Sequence, residues 1–185
     1  MKTKYLALTA LFAALTATGA YIKIPTPLAP ITLQVFFALA SGMLLGKRYG
    51  PVSQLLYALL GLIGLPFFSG GGGVGYILTP SFGFIAGFIG MSWLTGCLSE
   101  GERGFLRLFG ACLSGTFLMY AVAIPYMYFI LNIHLGRELS LGYILKTGML
   151  IFLPGDILKC FACAVIGSRL PMSIRVSAKK AEKEF

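Results

Sequence analysis

The segment Pro154-Gly155-Asp156-Ile157-Leu158-Lys159 sets an acid and a base three residues apart within an apolar stretch that runs from Leu139 to Leu170. Proline lacks the amide hydrogen that a helix interior needs and suits a first turn, so a helix is expected to begin at Pro154. Asp156 then falls in that first turn, where the helix dipole favours negative charge. Lys159 shares its face, one turn or about 4.5 Å further along. An ionisable residue at membrane depth is costly enough to mark a functional site. Two uses fit the pair. It can form a mutual salt bridge that only stabilises the helix start, or it can present an acceptor and a donor to a polar ring or head group in an apolar pocket.

Gln34, which follows Pro30-Ile31-Thr32-Leu33, adds an amide that both donates and accepts. Tyr76, Asn132 and the backbone of Gly73 and Gly75 fall at the same level and complete the candidate ligand-binding set. Phe67, Phe68, Tyr126 and Tyr128 can supply apolar walls, or form an interfacial aromatic belt. The run from Ser69 through Gly70, Gly71, Gly72, Gly73, Val74 and Gly75 to Tyr76 lacks the lysine and hydroxyl that follow a phosphate-binding Walker loop. Its glycines serve either a close approach to a ligand or a purely structural turn. Irregular backbone at this depth must be buried in protein or line a cavity.

No catalytic or metal constellation competes with binding. Cys97, Cys112, Cys160 and Cys163 lie in or beside apolar runs, where a thiol behaves as a small hydrophobe. The Cys160-x-x-Cys163 spacing would suit a metal only with two more ligands, and the sole histidine is His134. No second acid within an apolar run completes a proton relay with Asp156, and nothing in the chain can hydrolyse ATP alone. Neither an enzyme nor a metal or cofactor protein is expected.

Of the 185 residues, 57% are hydrophobic and 11% charged, with a mean hydropathy of +0.86. A soluble domain carries roughly a quarter of its residues charged, so most of this surface faces something other than water. The net charge is +9, and most of the basic residues lie in short hydrophilic breaks and at the two ends, which argues against nucleic acid and for charge that sets membrane topology. The composition predicts an all-α integral membrane protein with a single transmembrane domain over 1–185.

Six helical spans fit best, at about Tyr5 to Tyr21, Ile31 to Gly46, Val52 to Phe68, Tyr76 to Leu98, Phe105 to Leu131 and Pro154 to Leu170. Leu139 to Phe152 is expected to form a short helix or re-entrant piece on the outer side. The first run follows Lys2 and Lys4 and ends in Thr18-Gly19-Ala20, as a signal peptide would, but the chain starts at Met1 and the run is taken as retained. With both termini cytoplasmic, the inner segments hold Lys2, Lys4, Lys47, Arg48, Arg103, Arg107, Arg169, Arg175, Lys179, Lys180 and Lys183. The outer loops hold only Lys23, Arg137 and Lys146. That bias alternates correctly only for an even number of spans.

Helix one carries Ala7, Ala10, Ala14 and Ala17 on one face with Ala13 beside it. Small side chains let helices approach closely in lipid, so this strip serves either internal packing or docking of a separate membrane subunit.

These residues, in this order, closely resemble the BioY family, the biotin-specific S components of energy-coupling factor (ECF) transporters. The resemblance covers nearly the whole chain. It runs from the alanine-rich first helix through Ile24-Pro25-Thr26-Pro27, Ile31-Thr32-Leu33-Gln34 and Gly42-Met43-Leu44-Leu45-Gly46. It continues through Gly61-Leu62-Ile63-Gly64-Leu65-Pro66-Phe67-Phe68, the glycine run with Tyr76, and Pro154-Gly155-Asp156 with Lys159. It implies a six-helix subunit in the plasma membrane of a prokaryote that binds extracellular biotin beneath its first loop. Partners would be a transmembrane coupling subunit and two cytoplasmic ATPases that use ATP. The family's helix-one signature, matched by Ala10 to Ala14 and Ala13 to Ala17, implies docking to the coupling subunit. Its helix-six acid and base correspond to Asp156 and Lys159, which would pair with the donors and acceptor of biotin's ureido ring. The alternatives are a solitary secondary vitamin transporter and a membrane interaction protein that transports nothing.

Overall fold

The structure, a computed structural model, describes residues 2–102 and 104–171. Arg103, Arg175, Lys179, Lys180 and Lys183 of the charge count lie outside the described residues. Helix α1 spans Lys2–Tyr21 and leads into two short antiparallel strands, β1 (Lys23–Ile24) and β2 (Ile31–Thr32), with Lys23 opposite Thr32. Helix α2 (Gln34–Leu62) follows, and a 3-10 turn over Val74–Leu78 precedes α3 (Phe82–Ser99). Helix α4 (Phe105–Tyr128) runs on as a π-helix over Phe129–His134. The short α5 (Leu141–Leu145) continues as a π-helix over Lys146–Leu150, and α6 occupies Leu153–Arg169. The break expected at Pro154 is there, with the proline in the first turn of α6. Among the described residues, three helical stretches are long and apolar enough to cross a membrane: Phe82–Ser99, Phe105–His134 and Leu141–Arg169.

Helix α2 is two antiparallel arms. At Gly46 the backbone leaves helical geometry with φ of +73°, a region that glycine enters without steric cost. Gln54 Nε2 donates to Ser41 Oγ at 3.1 Å. A continuous helix would hold residues at that spacing about 20 Å apart. The stretches expected as second and third spans, Ile31 to Gly46 and Val52 to Phe68, fold largely as these arms, 34–45 and 47–62, which reverse at Gly46 just before Lys47-Arg48. Each is short of the roughly 20 residues of an upright span.

What holds α1, the two arms and α3 together is close backbone contact and a buried polar seam. Gln54 Nε2 also lies 3.2 Å from Thr16 Oγ1 of α1, and Ser41 lies 2.9 Å from Ser92 of α3. Thr16, Ser41 and Ser53 spend their own protons on backbone carbonyls of their helices, which leaves their oxygens to accept from the amide. Small residues make this approach possible. A Cβ on Gly42 would sit 2.3 Å from the Ser92 carbonyl oxygen. Lipid offers no hydrophobic drive for helices to associate, so such contacts supply much of the cohesion.

Helix α1 divides its alanines between two faces. Ala13 and Ala17 are buried, whereas Ala7, Ala10 and Ala14 are exposed. A helix turns about 100° per residue, so positions three apart drift off one stripe. The expectation that Ala10, Ala13, Ala14 and Ala17 form one exposed strip is corrected accordingly: half of that set packs inside.

Because the Ser92 carbonyl cannot move without unwinding α3, Gly42→Ala is expected to destabilise the protein by about 1 to 3 kcal/mol. A thermal melt of detergent-purified protein measures this, with Gly75→Ala, whose Cβ would meet nothing within 4 Å, as the neutral control. Equal melting points for the two variants would show that α2 and α3 do not touch at Gly42.

Candidate ligand-binding site

A narrow cavity of about 30 Å³ lies at the end of the bundle where α6 begins. The strand β2 and the start of α2 contribute Thr32, Gln34 and Val35, and the preceding loop covers it with Ala29 and Pro30. Ser69, Tyr76 and Ser81 come from the glycine-rich segment and the approach to α3. Phe84, Ile85 and Phe88 come from α3, Met119 from α4, and Phe152, Asp156 and Lys159 from the start of α6.

Asp156 is 1% exposed, so its charge must be compensated within the protein. Lys159 Nζ donates to Oδ1 at 2.7 Å, and the Tyr120 hydroxyl of α4 donates to Oδ2. A carboxylate has about four acceptor positions and an ammonium three donors. The pair therefore keeps both acceptors and donors for a ligand. It is a salt bridge and a presented polar surface at once, so the two uses read from the sequence do not exclude each other.

Gln34 is held by a second network. Its Oε1 accepts from Thr32 Oγ1 at 2.9 Å, and its Nε2 donates to the Tyr57 hydroxyl. Tyr57 in turn donates to the Phe67 carbonyl at 3.3 Å, which settles the amide's orientation and leaves one Nε2 proton unassigned. Tyr76, 9% exposed, lies against Phe68 with ring centroids 4.6 Å apart. Its hydroxyl is within reach of Ser69 and Ser81, at 3.2 and 3.1 Å.

The structure thus brings Asp156, Lys159, Gln34 and Tyr76 around one cavity. Gly73, Gly75 and Asn132 do not line it. Asn132 bonds the backbone of Leu139 in both directions, at 2.9 and 2.6 Å, and so closes the loop after α4. Gly73 donates its amide to the Gly61 carbonyl at 2.8 Å, which fastens the glycine-rich segment to the end of α2. Gly75 is exposed. Asn132 and Gly73 are engaged in loop closure rather than in the cavity wall.

The walls are also others than expected. Tyr128 is exposed, Tyr126 donates to the Ile77 carbonyl, and Phe68 backs Tyr76 from the far side. Phe67 faces a groove beside Ala14, Ala17 and Tyr21. Phe84 and Phe88, one turn apart on α3, line the cavity instead, with Phe84 stacked on Phe152 at 5.8 Å and 13°. Tyr120, Tyr57 and Thr32 were missed. A tyrosine hydroxyl inside an apolar run must find a partner, which was the available sign for Tyr120.

The fold matches the crystal structure of the S-component for biotin from an ECF-type ABC transporter. The TM-score is 0.80 at 28% identity, over 91% of this chain and 90% of that one. Fold and site together define an S-component: a bundle of apolar helices with a polar-and-aromatic cavity at its end. The probable biotin transporter BioY of Lysinibacillus sphaericus is 40% identical over 173 residues, 91% of this chain and 87% of that protein. The biotin transporter BioY of Thermotoga maritima is 34% identical over 161 residues, 86% of this chain and 91% of that one. The chain belongs to the BioY family, which it matches over residues 1–175.

Removing one member of a buried ion pair costs about 3 to 5 kcal/mol, while replacing both with neutral groups can cost little. Lys159→Met is therefore expected to melt at a lower temperature than the double variant D156N/K159M. A double variant that melts below the single one would show that the pair is not closed off from solvent.

Proposed function

We propose that this chain is the biotin-binding S component of an ECF vitamin transporter and acts by binding alone. It is a single domain of six spans with both termini cytoplasmic. Its two arms of α2 count as separate crossings, and its cavity opens to the outside of a prokaryotic plasma membrane. Lys23, Arg137 and Lys146 belong to the cavity end, and Lys47, Arg48, Arg107 and Arg169 to the other, in keeping with the positive-inside bias.

The observation that carries the reading is the Tyr120–Asp156–Lys159 cluster at the wall of an aromatic cavity, in a member of the BioY family. The ureido ring of biotin has two N–H donors and one carbonyl acceptor. Asp156 offers acceptors and Lys159 a donor at adjacent points, so the ring can replace the water it leaves behind. Gln34 supplies a further donor, and Tyr76 with Ser69 and Ser81 closes the polar rim. Phe84, Phe88, Phe152 and Met119 receive the apolar faces of the fused rings. Gly73, Gly75 and Asn132 support the site through the loops they hold.

Delivery across the membrane then falls to a transmembrane coupling subunit driven by two cytoplasmic ATPases. The exposed alanines, Ala7, Ala10 and Ala14, are the part of helix one that such a subunit can reach. The buried Ala13 and Ala17 seat α1 on the rest of the chain.

Calorimetric titration of the purified protein with biotin is the direct test. Wild-type protein should bind, and Asp156→Asn should weaken binding about ten- to a hundred-fold, the equivalent of roughly 1 to 3 kcal/mol for one lost partner in a closed site. Wild-type affinity in that variant would remove Asp156 from the site. Ala14→Trp should leave biotin titration unchanged and abolish copurification with the coupling subunit. An intact complex would mean that the subunit docks elsewhere.

A further inference from the structure

Outside the cavity lies an open vestibule of about 420 Å³. The two share Pro30, Ser69, Tyr76 and Ser81, so the inner and outer spaces adjoin across a wall that includes the Tyr76 ring. Their electrostatics differ. In the inner cavity the cation Lys159 is compensated by Asp156 at 2.7 Å. In the vestibule the cation is Lys23, at the first position of β1, and among the described residues no carboxylate forms an ion pair with it. The Lys23 Nζ donates to the Ser69 carbonyl, which fixes the ammonium on the vestibule wall instead of letting it swing into solvent. Two donor positions remain on that nitrogen. The hydroxyls of Thr26, Thr79 and Ser81 line the same space.

We propose that Lys23 reads an anionic tail on the ligand: the vestibule takes the carboxylate of a substrate whose neutral polar head is held at Asp156 and Lys159. The inference rests on the biotin reading above and deepens it. Biotin carries its carboxylate at the end of a flexible aliphatic chain, on the side of the molecule away from the ureido ring. A head placed against α6 sends that chain towards Tyr76, and the first uncompensated cation it meets is Lys23. The charge-assisted bond is partly open to water, so its effect is a preference rather than a requirement. A gain of roughly three- to ten-fold for the charged tail is expected at low ionic strength.

The test compares biotin with biotin methyl ester, which has the same head and a neutral tail, on full-length wild-type, Lys23→Gln and Lys23→Arg proteins. Wild type should prefer biotin by roughly three- to ten-fold, and added salt should shrink that preference. Lys23→Gln should abolish it by weakening biotin alone, and Lys23→Arg should retain it. If Lys23→Gln weakens both ligands equally, Lys23 only ties the strand to the Ser69 segment, and the proposal is overturned. If the preference survives in Lys23→Gln, the carboxylate is read elsewhere and the proposal is equally overturned. Wild-type protein that binds neither ligand would overturn the biotin reading, and Lys23 as its tail reader with it.

Discussion

A charged carboxylate that is almost wholly buried in an apolar bundle must be matched where it lies, and the arrangement around Asp156 follows from that requirement. Its two partners come from different elements, Lys159 from one turn along α6 and Tyr120 from α4. Both can reach it only if α6 starts where it does. Pro154 sets that start by opening the helix, and Phe152 accepts the Asp156 amide at 3.0 Å. The same turn carries the Phe152 ring to its stack on Phe84. One electrostatic constraint thereby ties α3, α4 and α6 into a single wall and leaves unused hydrogen-bonding capacity pointing at the space they enclose.

The other half of the molecule depends on close approach rather than charge. Reversal at Gly46 lets the two arms of α2 lie side by side, and the contact of Gly42 with Ser92 brings α3 against them. Gln34 sits at the head of the first arm and Tyr57 in the second, so their hydrogen bond exists only because the hairpin is closed. Tightness of the hairpin is thus transmitted directly to the position of a cavity-lining amide.

Sequence reasoning recovered the parts of this design in which a residue's chemistry conflicts with its surroundings. Asp156, Lys159 and Gln34 are expensive inside an apolar bundle, and their types and spacing announced them. The reversal beside Lys47-Arg48 and the helix start at Pro154 were readable for the same reason, since charge and a missing amide are local properties. What escaped notice was direction. Tyr120 and Tyr57 look from sequence like any aromatic in an apolar run, and the inward phase of Phe84 and Phe88 has no compositional mark. Asn132, Gly73 and Gly75 were drawn in by their expected level, although Asn132 and Gly73 close loops and Gly75 is exposed. Ala13 and Ala17 show the converse case. Small residues signal close packing without saying whether the neighbour belongs to the same chain.

Asp156 and Lys159 together carry no net charge, and biotin's ureido head carries none either. On the proposed reading, seating the head therefore moves no charge through the electric field of the membrane at that depth. Moving one elementary charge through that field is worth about 2.3 kcal/mol per 100 mV, so voltage exerts almost no force on this step. A pocket built around an internally neutralised pair thus adds no voltage dependence through the head, and whatever charge moves on loading is that of the tail.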